Sequence, residues 1–292
     1  MLKQRVITGL ILGLTVVGAL LLLPEVMIGW LMVVVTSLAA LEYAELVGWN
    51  RAVKYIFVGI VFLLPAAILL GFGRISGPGG FLLLFGVTSI IGVMYAVGAA
   101  IGLWIYSRSG KRPLWDKIGF TLLSIVMGCW FIPFALTMLL LLNVSWGYEI
   151  VCKEEMFLLL LLQVATNDTM AYFVGRTFGK HPLAPKISPK KTVEGMLGGI
   201  VSSVLVTWCY FQFTERKPKA ILCLLGLTVV VSLFAVIGDL FESMLKRKAG
   251  VKDSGKLLPG HGGVYDRIDS LMAAVPVFVL GGLVIMVMGG LQ

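Results

Sequence analysis

Residues 238–270 read GDLFESMLKRKAGVKDSGKLLPGHGGVYDRIDS and are densely charged, whereas only 13% of the 292-residue chain is charged. Carboxylates alternate with lysines and arginines, and glycines surround Pro259 and His261. Carboxylate oxygens bind divalent cations, and glycines let a backbone approach a phosphate closely. The stretch therefore predicts a site for a divalent metal ion and phosphate. Its acids are Asp239, Glu242, Asp253, Asp266 and Asp269, its bases are Lys246, Arg247, Lys248, Lys252, Lys256 and Arg267, and its loop glycines are Gly260, Gly262 and Gly263.

The rest of the chain is apolar enough to cross a membrane repeatedly. The mean hydropathy of +0.98 excludes an ordinary soluble domain. Crossing the hydrocarbon core takes about 20 apolar residues, and within lipid such a segment must be helical to satisfy its own backbone. We therefore predict an all-α, polytopic integral membrane protein with about nine transmembrane helices. The candidate spans are residues 6–23, 27–46, 55–71, 80–105, 120–142, 156–173, 193–213, 220–241 and 271–288.

The distribution of basic residues predicts a cytosolic N-terminus. With that orientation, all but five of the 24 Lys and Arg residues fall in cytosolic segments, as the positive-inside rule requires. Both long polar loops, 175–192 and 245–268, then face the cytosol. The net charge of +9 thus lies near anionic headgroups and nucleotides. Nothing resembles a nucleic-acid-reading module, so no nucleic acid partner is expected. The five exceptions are Arg74, Lys153, Arg216, Lys217 and Lys219.

The four cysteines do not indicate a metal or disulfide framework. They are scattered, without a Cys-x-x-Cys spacing, and we predict that they are small buried apolar residues. They are Cys129, Cys152, Cys209 and Cys223.

The chain divides by charge density into two regions. Residues 1–155 are interpreted as N-terminal transmembrane helices that form a scaffold or an oligomer interface. Residues 156–292 are interpreted as a catalytic transmembrane domain with two cytosolic loops. In the first region, Glu42 and Glu45 lie three residues apart and so share a helix face. We interpret them as groups that reach the membrane interface or line a polar cavity, without a functional assignment.

Asp168 stands well inside an apolar stretch. An ionisable residue at membrane depth is costly and is a functional candidate by default. Helical spacing places Asp168, Tyr172 and Gly175 on one face. The alternative is a structural ion pair with a basic residue of another helix.

The loop HPLAPKISPKKTVEG, residues 181–195, predicts a phosphate site. Its prolines disfavour a long helix, and cations and hydroxyls precede a helix that begins near Val193. A helix N-terminus beside lysines attracts phosphate, although the positive-inside rule alone also accounts for the charge. Thr192 is a fair N-cap, but Gly195 stands where a capping box needs Glu or Gln. The candidates are Ser188, Lys186, Lys190, Lys191 and Thr192.

Carboxylates converge at the entrances of the last two predicted helices. Asp239 and Glu242 lie on one stripe of the eighth, and Asp266 and Asp269 share a face of the ninth. Such groups repel unless a cation lies between them, and oxygen-only ligands favour Mg²⁺. We interpret His261 as a phosphate hydrogen-bond donor, with a proton donor or a loop anchor as alternatives. A merely solvated run of charges would not need these glycines, this proline and acids at helix entrances.

The motif from Ser243 to Asp269 resembles the signature of the phosphatidate cytidylyltransferase (CDP-diacylglycerol synthase) family. The signature's elements stand here as SMLKR, KDSG and LPGHGGVYDRID, with matching spacing. The upstream segments DTMAYFVGRTFGK (168–180) and SPKKTVEG (188–195) also resemble the family, although Met170 replaces an expected small residue. The resemblance is detailed in the C-terminal half and rests on hydropathy alone in the N-terminal half.

The resemblance implies the reaction CTP + phosphatidate → CDP-diacylglycerol + pyrophosphate. It implies Mg²⁺ as cofactor, with a second cation left open, and as partners CTP, phosphatidate and membrane lipids, with a homodimer left open. The lipid phosphate is already an anionic nucleophile, so metal ions and basic groups supply most of the catalysis. The active centre is expected at the cytosolic side of the membrane, the inner membrane if the cell is bacterial.

The resemblance also implies roles for individual residues. The metal ligands are Asp239 and Asp266 first, because their helix ends can converge, followed by Asp269 and Asp168. The catalytic residues are Asp239, Asp266, Lys246, Arg247, His261 and Arg267. The substrate-binding residues are Ser188, Lys190, Lys191, Thr192, Lys252, Asp253, Lys256, Gly262 and Gly263.

Two other functions remain as alternatives. A CTP-dependent lipid-alcohol kinase shares the membrane, metal and nucleotide but must deprotonate a hydroxyl, and the complete signature argues against it. A transporter would spread ionisable residues across the membrane depth, whereas most of them here cluster towards the cytosol.

Overall fold

The computed structural model describes residues 2–71, 78–108, 120–141, 153–212, 218–258 and 262–287. These residues form ten α-helices and two short β-strands. The helices are α1 (Leu2–Leu22), α2 (Glu25–Leu46), α3 (Arg51–Gly71), α4 (Pro78–Arg108), α5 (Phe120–Gly128), α6 (Phe131–Leu141), α7 (Lys153–Phe178), α8 (Val193–Gln212), α9 (Pro218–Ala249) and α10 (Tyr265–Val287), and the strands are β1 (Pro182–Ala184) and β2 (Ser188–Thr192).

The helices coincide with the predicted spans. Seven helices of the described part are long and apolar enough to cross a membrane, and shorter apolar helices accompany them. The predicted span 120–142 is divided into α5 and α6 at residues 129–130. Pro133 cannot donate the usual backbone bond to Cys129, and the amide of Ile132 donates to that carbonyl instead at 3.2 Å. The predicted class, a polytopic helical membrane protein, is confirmed.

The polar loop before α8 contains a small antiparallel hairpin that the sequence did not predict. Strands β1 and β2 pair Pro182 with Thr192 and Ala184 with Ser188. A two-stranded hairpin has edges that tolerate proline, so a proline-rich loop can still form one. Buried Ile187 anchors the turn against the core. The hairpin therefore holds the lysines of β2 in a fixed position beside the helices.

Helix α9 ends at Ala249, and the chain continues into the loop between α9 and α10, called the signature loop below, of which the structure describes residues 250–258 and 262–264. The amide of Gly250 donates to the carbonyl of Arg247 at 3.3 Å, and the amide of Val251 donates to that of Lys246 at 3.0 Å. This is a Schellman ending, and Gly250 provides the positive φ of 71° that it requires. The loop 251–258 then turns back towards the start of α10.

An aromatic cluster joins the N-terminal helices to α10. The Tyr43 ring centroid lies 5.3 Å from that of Phe131 and 5.8 Å from that of Tyr265. Phe131 and Tyr265 are themselves 5.5 Å apart, and all three residues are buried. The beginning of α10 is thus packed directly against α2 and α6.

The predicted burial of the cysteines is wrong for two of them. Cys129 and Cys209 are exposed and Cys223 is partly buried, and all three are free thiols. Cys209 lies on α8, Cys223 on α9 and Cys129 in the turn between α5 and α6. A small, weakly polar side chain is tolerated at exposed positions of an apolar bundle. Cys152 lies outside the described residues.

Candidate active site

Three carboxylates meet where α9 and α10 cross. One oxygen each from Asp239, Glu242 and Asp269 lies within 4.8 Å of the other two. The crossing is close because of Gly238, where a Cβ would overlap the backbone carbonyl of Asp269. A residue without a side chain therefore brings the acids of two helices together.

The three acids have few hydrogen-bond donors around them. Glu242 is fully buried, and Lys246 forms an ion pair with one of its oxygens. The other oxygen, Oε1, has no hydrogen-bond partner within the described structure. Asp239 forms an ion pair with Lys191 of β2 and a long contact of 3.4 Å with the Ser243 hydroxyl. The cluster is thus deficient in compensating groups.

Two further carboxylates adjoin the cluster. Asp168 of α7 accepts a hydrogen bond from the Ser270 hydroxyl at 3.2 Å, which ties α7 to α10. Asp266 lies on the other side and shares Lys246 with Glu242, at 2.7 Å from its ammonium group.

The donor set fits a divalent cation. Two lysines form ion pairs within this group of five carboxylates in the described structure, so negative charge remains uncompensated. All candidate ligand atoms are carboxylate oxygens, which suit a hard ion such as Mg²⁺. Oε1 of buried Glu242 has no hydrogen-bond partner within the described structure, and a divalent cation bound among the three acids would compensate it.

Asp266 has a different environment from the three clustered acids. One of its oxygens accepts the amides of Ser254 at 2.9 Å and Gly263 at 2.7 Å, and the other accepts from Lys246. It lies in the first turn of α10, where a carboxylate also interacts favourably with the helix dipole. The structure therefore places Asp266 as an anchor for the signature loop next to the acid cluster.

A cavity of about 650 Å³ opens beside the acids between α7, α8, α9 and the hairpin. One part of its wall is charged or polar, and the other part is apolar. The polar wall contains Asp168, Asp239, Arg176, Lys190, Lys191 and Thr192, and the remaining wall contains Ala171, Tyr172, Leu183, Met196 and Val236.

The hairpin and the N-terminus of α8 form the basic side of this cavity. Thr192 accepts the amide of Gly195 at 3.1 Å through its hydroxyl, so its predicted N-cap role is confirmed. In place of a capping box, Glu194 accepts the amides of Lys180 and His181 at 3.1 and 3.2 Å. Ser188, a predicted substrate-binding residue, begins β2 and is not among the residues that line the cavity.

The signature loop is held by a backbone hydrogen bond of its own and by bonds to the Asp266 and Glu42 carboxylates. The Gly262 carbonyl accepts the amide of Leu258 at 2.9 Å, and the Gly263 amide is committed to Asp266. Arg247 donates through Nε to the carbonyl of Ile187 at 3.1 Å and so links α9 to the hairpin turn. Four predicted site residues are exposed on or beside the loop, outside the described lining of the cavity, and these are Lys252, Asp253, Lys256 and Arg267. His261 lies outside the described residues.

Glu42 is a site component to which the sequence assigned no function. It is only 3% exposed, and one oxygen accepts the Tyr265 amide at 2.8 Å and the Ser254 hydroxyl at 3.2 Å. Glu45 is instead exposed and pairs with Lys54 at 2.9 Å. The sequence feature that could have identified Glu42 is its place as an ionisable residue inside an apolar run.

The chain matches a known family over nearly its whole length. The sequence profile of the cytidylyltransferase family matches residues 3–284. The match includes all the carboxylates and the hairpin lysines described above.

Individual proteins show the same similarity. A phosphatidate cytidylyltransferase of Pseudomonas aeruginosa is 35% identical over 284 residues, covering 95% of this chain and 96% of that protein. One of Haemophilus influenzae is 33% identical over 288 residues, covering 95% and 97%. One of Staphylococcus aureus is 49% identical over 115 residues, covering 39% of this chain and 44% of that protein.

Proposed function

The chain belongs to the cytidylyltransferase family, and we propose that it transfers the cytidylyl group of CTP to phosphatidate, giving CDP-diacylglycerol and pyrophosphate. The names of the relatives support this substrate pair. The observation that carries the proposal is the cavity in which acids and lysines face an apolar wall. Such a cavity suits one substrate that is a polyanion and another that is both anionic and lipid.

The acid cluster is the proposed Mg²⁺ site. Asp239, Glu242 and Asp269 would hold the ion, with Asp168 nearby. When bound, Mg²⁺ would neutralise phosphate charge and so lower the barrier to bringing two anions together. Glu242 replaces Asp266 in this proposal, because Asp266 is already committed to two loop amides and Lys246.

The basic residues of the cavity orient the phosphates. Lys190, Lys191 and Arg176 line the cavity and supply charge-assisted hydrogen bonds to phosphate oxygens. A phosphate oxygen of the lipid forms a bond to the α-phosphorus of CTP, and the bond from that phosphorus to the oxygen bridging it to the β-phosphorus breaks. Pyrophosphate leaves with that bridging oxygen. The attacking oxygen is already ionised, so the residues hold and neutralise the reactants without having to remove a proton.

The apolar wall receives the lipid. Tyr172, Leu183 and Met196 line the cavity beside the charged groups. Acyl chains lying along these side chains keep the headgroup phosphate at the acid cluster and leave the tails among the helices. The positive-inside distribution of lysines and arginines supports placing this cavity at the cytosolic leaflet.

Detergent-purified protein tests the proposal when supplied with CTP, Mg²⁺ and either phosphatidate or a lipid alcohol. We expect CDP-diacylglycerol and pyrophosphate in equal amounts, with phosphatidate only. Release of CDP with a phosphorylated alcohol would show a lipid-alcohol kinase instead. No turnover with either lipid, from protein shown to be folded by its thermal transition, would overturn the proposal.

A further inference from the structure

A buried carboxylate of the N-terminal region holds the signature loop. Glu42 of α2 accepts the Tyr265 amide at 2.8 Å and the Ser254 hydroxyl at 3.2 Å through the same oxygen. Tyr265 is the first residue of α10, so its amide has no partner within its own helix. Glu42 therefore satisfies an end group of the helix that carries Asp266 and Asp269.

The same contact continues into the loop. The Ser254 hydroxyl accepts the Asp266 amide at 3.2 Å while it donates to Glu42. The Ser254 amide donates in turn to the Asp266 carboxylate at 2.9 Å. Glu42, Ser254 and Asp266 thus form one connected network that fixes the loop against the beginning of α10.

The loop backbone is fitted closely around the Glu42 carboxylate. A Cβ on Gly255 would overlap the Glu42 carboxylate, and the three heavy atoms nearest to it all belong to Glu42. A Cβ on Gly263 would overlap the Ser254 hydroxyl and Oε2 of Glu42, the oxygen that accepts both hydrogen bonds. Both glycines therefore let the backbone approach this carboxylate more closely than any side chain would allow.

The helix that carries Glu42 is itself firmly held. The neighbouring Tyr43 donates its hydroxyl to the carbonyl of Ser124 at 2.6 Å, and its ring packs edge-on against Tyr265. Because Glu42 is 3% exposed, its side chain has little room to move aside. Because α2 and the Glu42 side chain are held in place, the hydrogen bonds of Glu42 also hold Ser254 and the signature loop in place.

We infer that Glu42 is a positioning residue for the cytidylyl transfer, acting through the Ser254–Asp266 network on the acids of α10. This inference rests on the proposed function. Its role is to accept hydrogen bonds, and the side-chain shape matters more than its charge. Glutamine keeps a carbonyl oxygen at the same place, whereas alanine removes both acceptors.

The first test compares Glu42→Ala with Glu42→Gln in the detergent-solubilised full chain. We expect kcat to fall about tenfold to a hundredfold in the alanine variant, the range seen when supports of a site are removed, and by less than about threefold in the glutamine variant. Glu45→Ala, on the same helix but exposed and paired with Lys54, serves as the matched control and should keep full activity. Full activity in Glu42→Ala, or equal losses in the alanine and glutamine variants, would overturn the inference.

The second test uses the fit between Glu42 and Gly255. Gly255→Ala should lower kcat in the wild-type background, because the new methyl group displaces the carboxylate. The same substitution should cost several-fold less in a Glu42→Ala background, where that carboxylate is absent. Losses of kcat that simply add in the double variant would contradict the inference. If Glu42→Ala does not fold, unchanged kcat in Gly255→Ala alone would contradict it.

Hydrogen–deuterium exchange gives a readout that does not depend on activity. Amides of the segment 251–258 and of Tyr265 should exchange faster in Gly255→Ala and Glu42→Ala than in wild type or Glu45→Ala. Unchanged exchange would refute the positioning role. Faster exchange in a protein that makes no CDP-diacylglycerol would refute only the proposed function.

Discussion

Two buried glutamates occupy the same end of the helix bundle in opposite electrostatic situations. Glu42 is 3% exposed and accepts hydrogen bonds from an amide and a hydroxyl. Glu242 is 0% exposed and lies beside Asp239 and Asp269, and Lys246 forms an ion pair with one of its oxygens. Burial is thus the same for both, and the groups around each carboxylate differ.

From that difference we propose that Glu42 supports the structure and that Glu242 takes part in binding the metal ion. A buried carboxylate is tolerated when donors replace the water that it lost, as the Tyr265 amide and the Ser254 hydroxyl do at one oxygen of Glu42. Its other oxygen is buried with no hydrogen-bond partner in the described structure. Carboxylates packed against one another, as around Glu242, store repulsion that a cation relieves. The donors received by a buried acid therefore predict its role better than its depth does.

The largest effect should come from Asp239→Asn. The substitution keeps the shape of the side chain but removes a charge from the acid cluster and from the Lys191 ion pair. We expect turnover to fall by about a hundredfold or more, as when preorganised electrostatic groups are lost. Initial rates of CDP-diacylglycerol formation measure it, and an unchanged thermal transition shows that the fold is kept.

Glu42→Gln is the matched control for that variant, since it makes the same chemical change at the acid that has donors. Activity near wild type in Asp239→Asn would remove this residue from the proposed centre and with it the contrast between the two sites.

A smaller effect is expected from Glu242→Gln. Loss of its charge should weaken the proposed metal site, so the Mg²⁺ concentration for half-maximal activity should rise roughly tenfold, as for other supporting groups of metal sites. The titration of rate against Mg²⁺ measures the shift. The same titration on Glu42→Gln should leave the midpoint in place, and equal shifts in both variants would mean that the two glutamates do not differ in role.

The smallest effect should come from Lys190→Ala at the basic wall. Lys190 is exposed on β2 and lines the cavity, so its loss removes one solvent-screened contact with phosphate. We expect the apparent KM for CTP or phosphatidate to rise about three- to tenfold with little change in kcat. Lys186→Ala, on the same hairpin but bonded to the carbonyl of Ser107, is the control. An unchanged KM for both substrates would exclude the phosphate contact.

The sequence predicted the helices well because their apolar periodicity and length are local properties. The sequence also predicted that acids of the last two helices converge, with Asp239 and Asp266 as the first pair and Asp269 next, and the structure groups Asp239 with Glu242 and Asp269. The Thr192 cap followed from one residue and its position before a helix. These predictions need only short-range rules.

The sequence did not predict hydrogen bonds and contacts between residues that are far apart in the chain. Glu42 and Ser254 are 212 residues apart, and nothing local pairs them. The hairpin at 182–192 is anchored by buried Ile187. The burial of that residue could not be predicted from a proline-rich loop sequence. The metal-ligand role of Asp266 stays a prediction, and the two amides that it accepts belong to a loop whose path depends on tertiary packing.

Gly238 has a consequence that reaches beyond its own position. The atom that a methyl group there would strike is a backbone oxygen of the facing helix, and backbone cannot swing away as a side chain can. Any larger residue at this position would force α9 and α10 apart. The acids of the two helices would then separate although none of them had been mutated. The distance between the acids of α9 and α10 therefore depends on the absence of one carbon atom at Gly238.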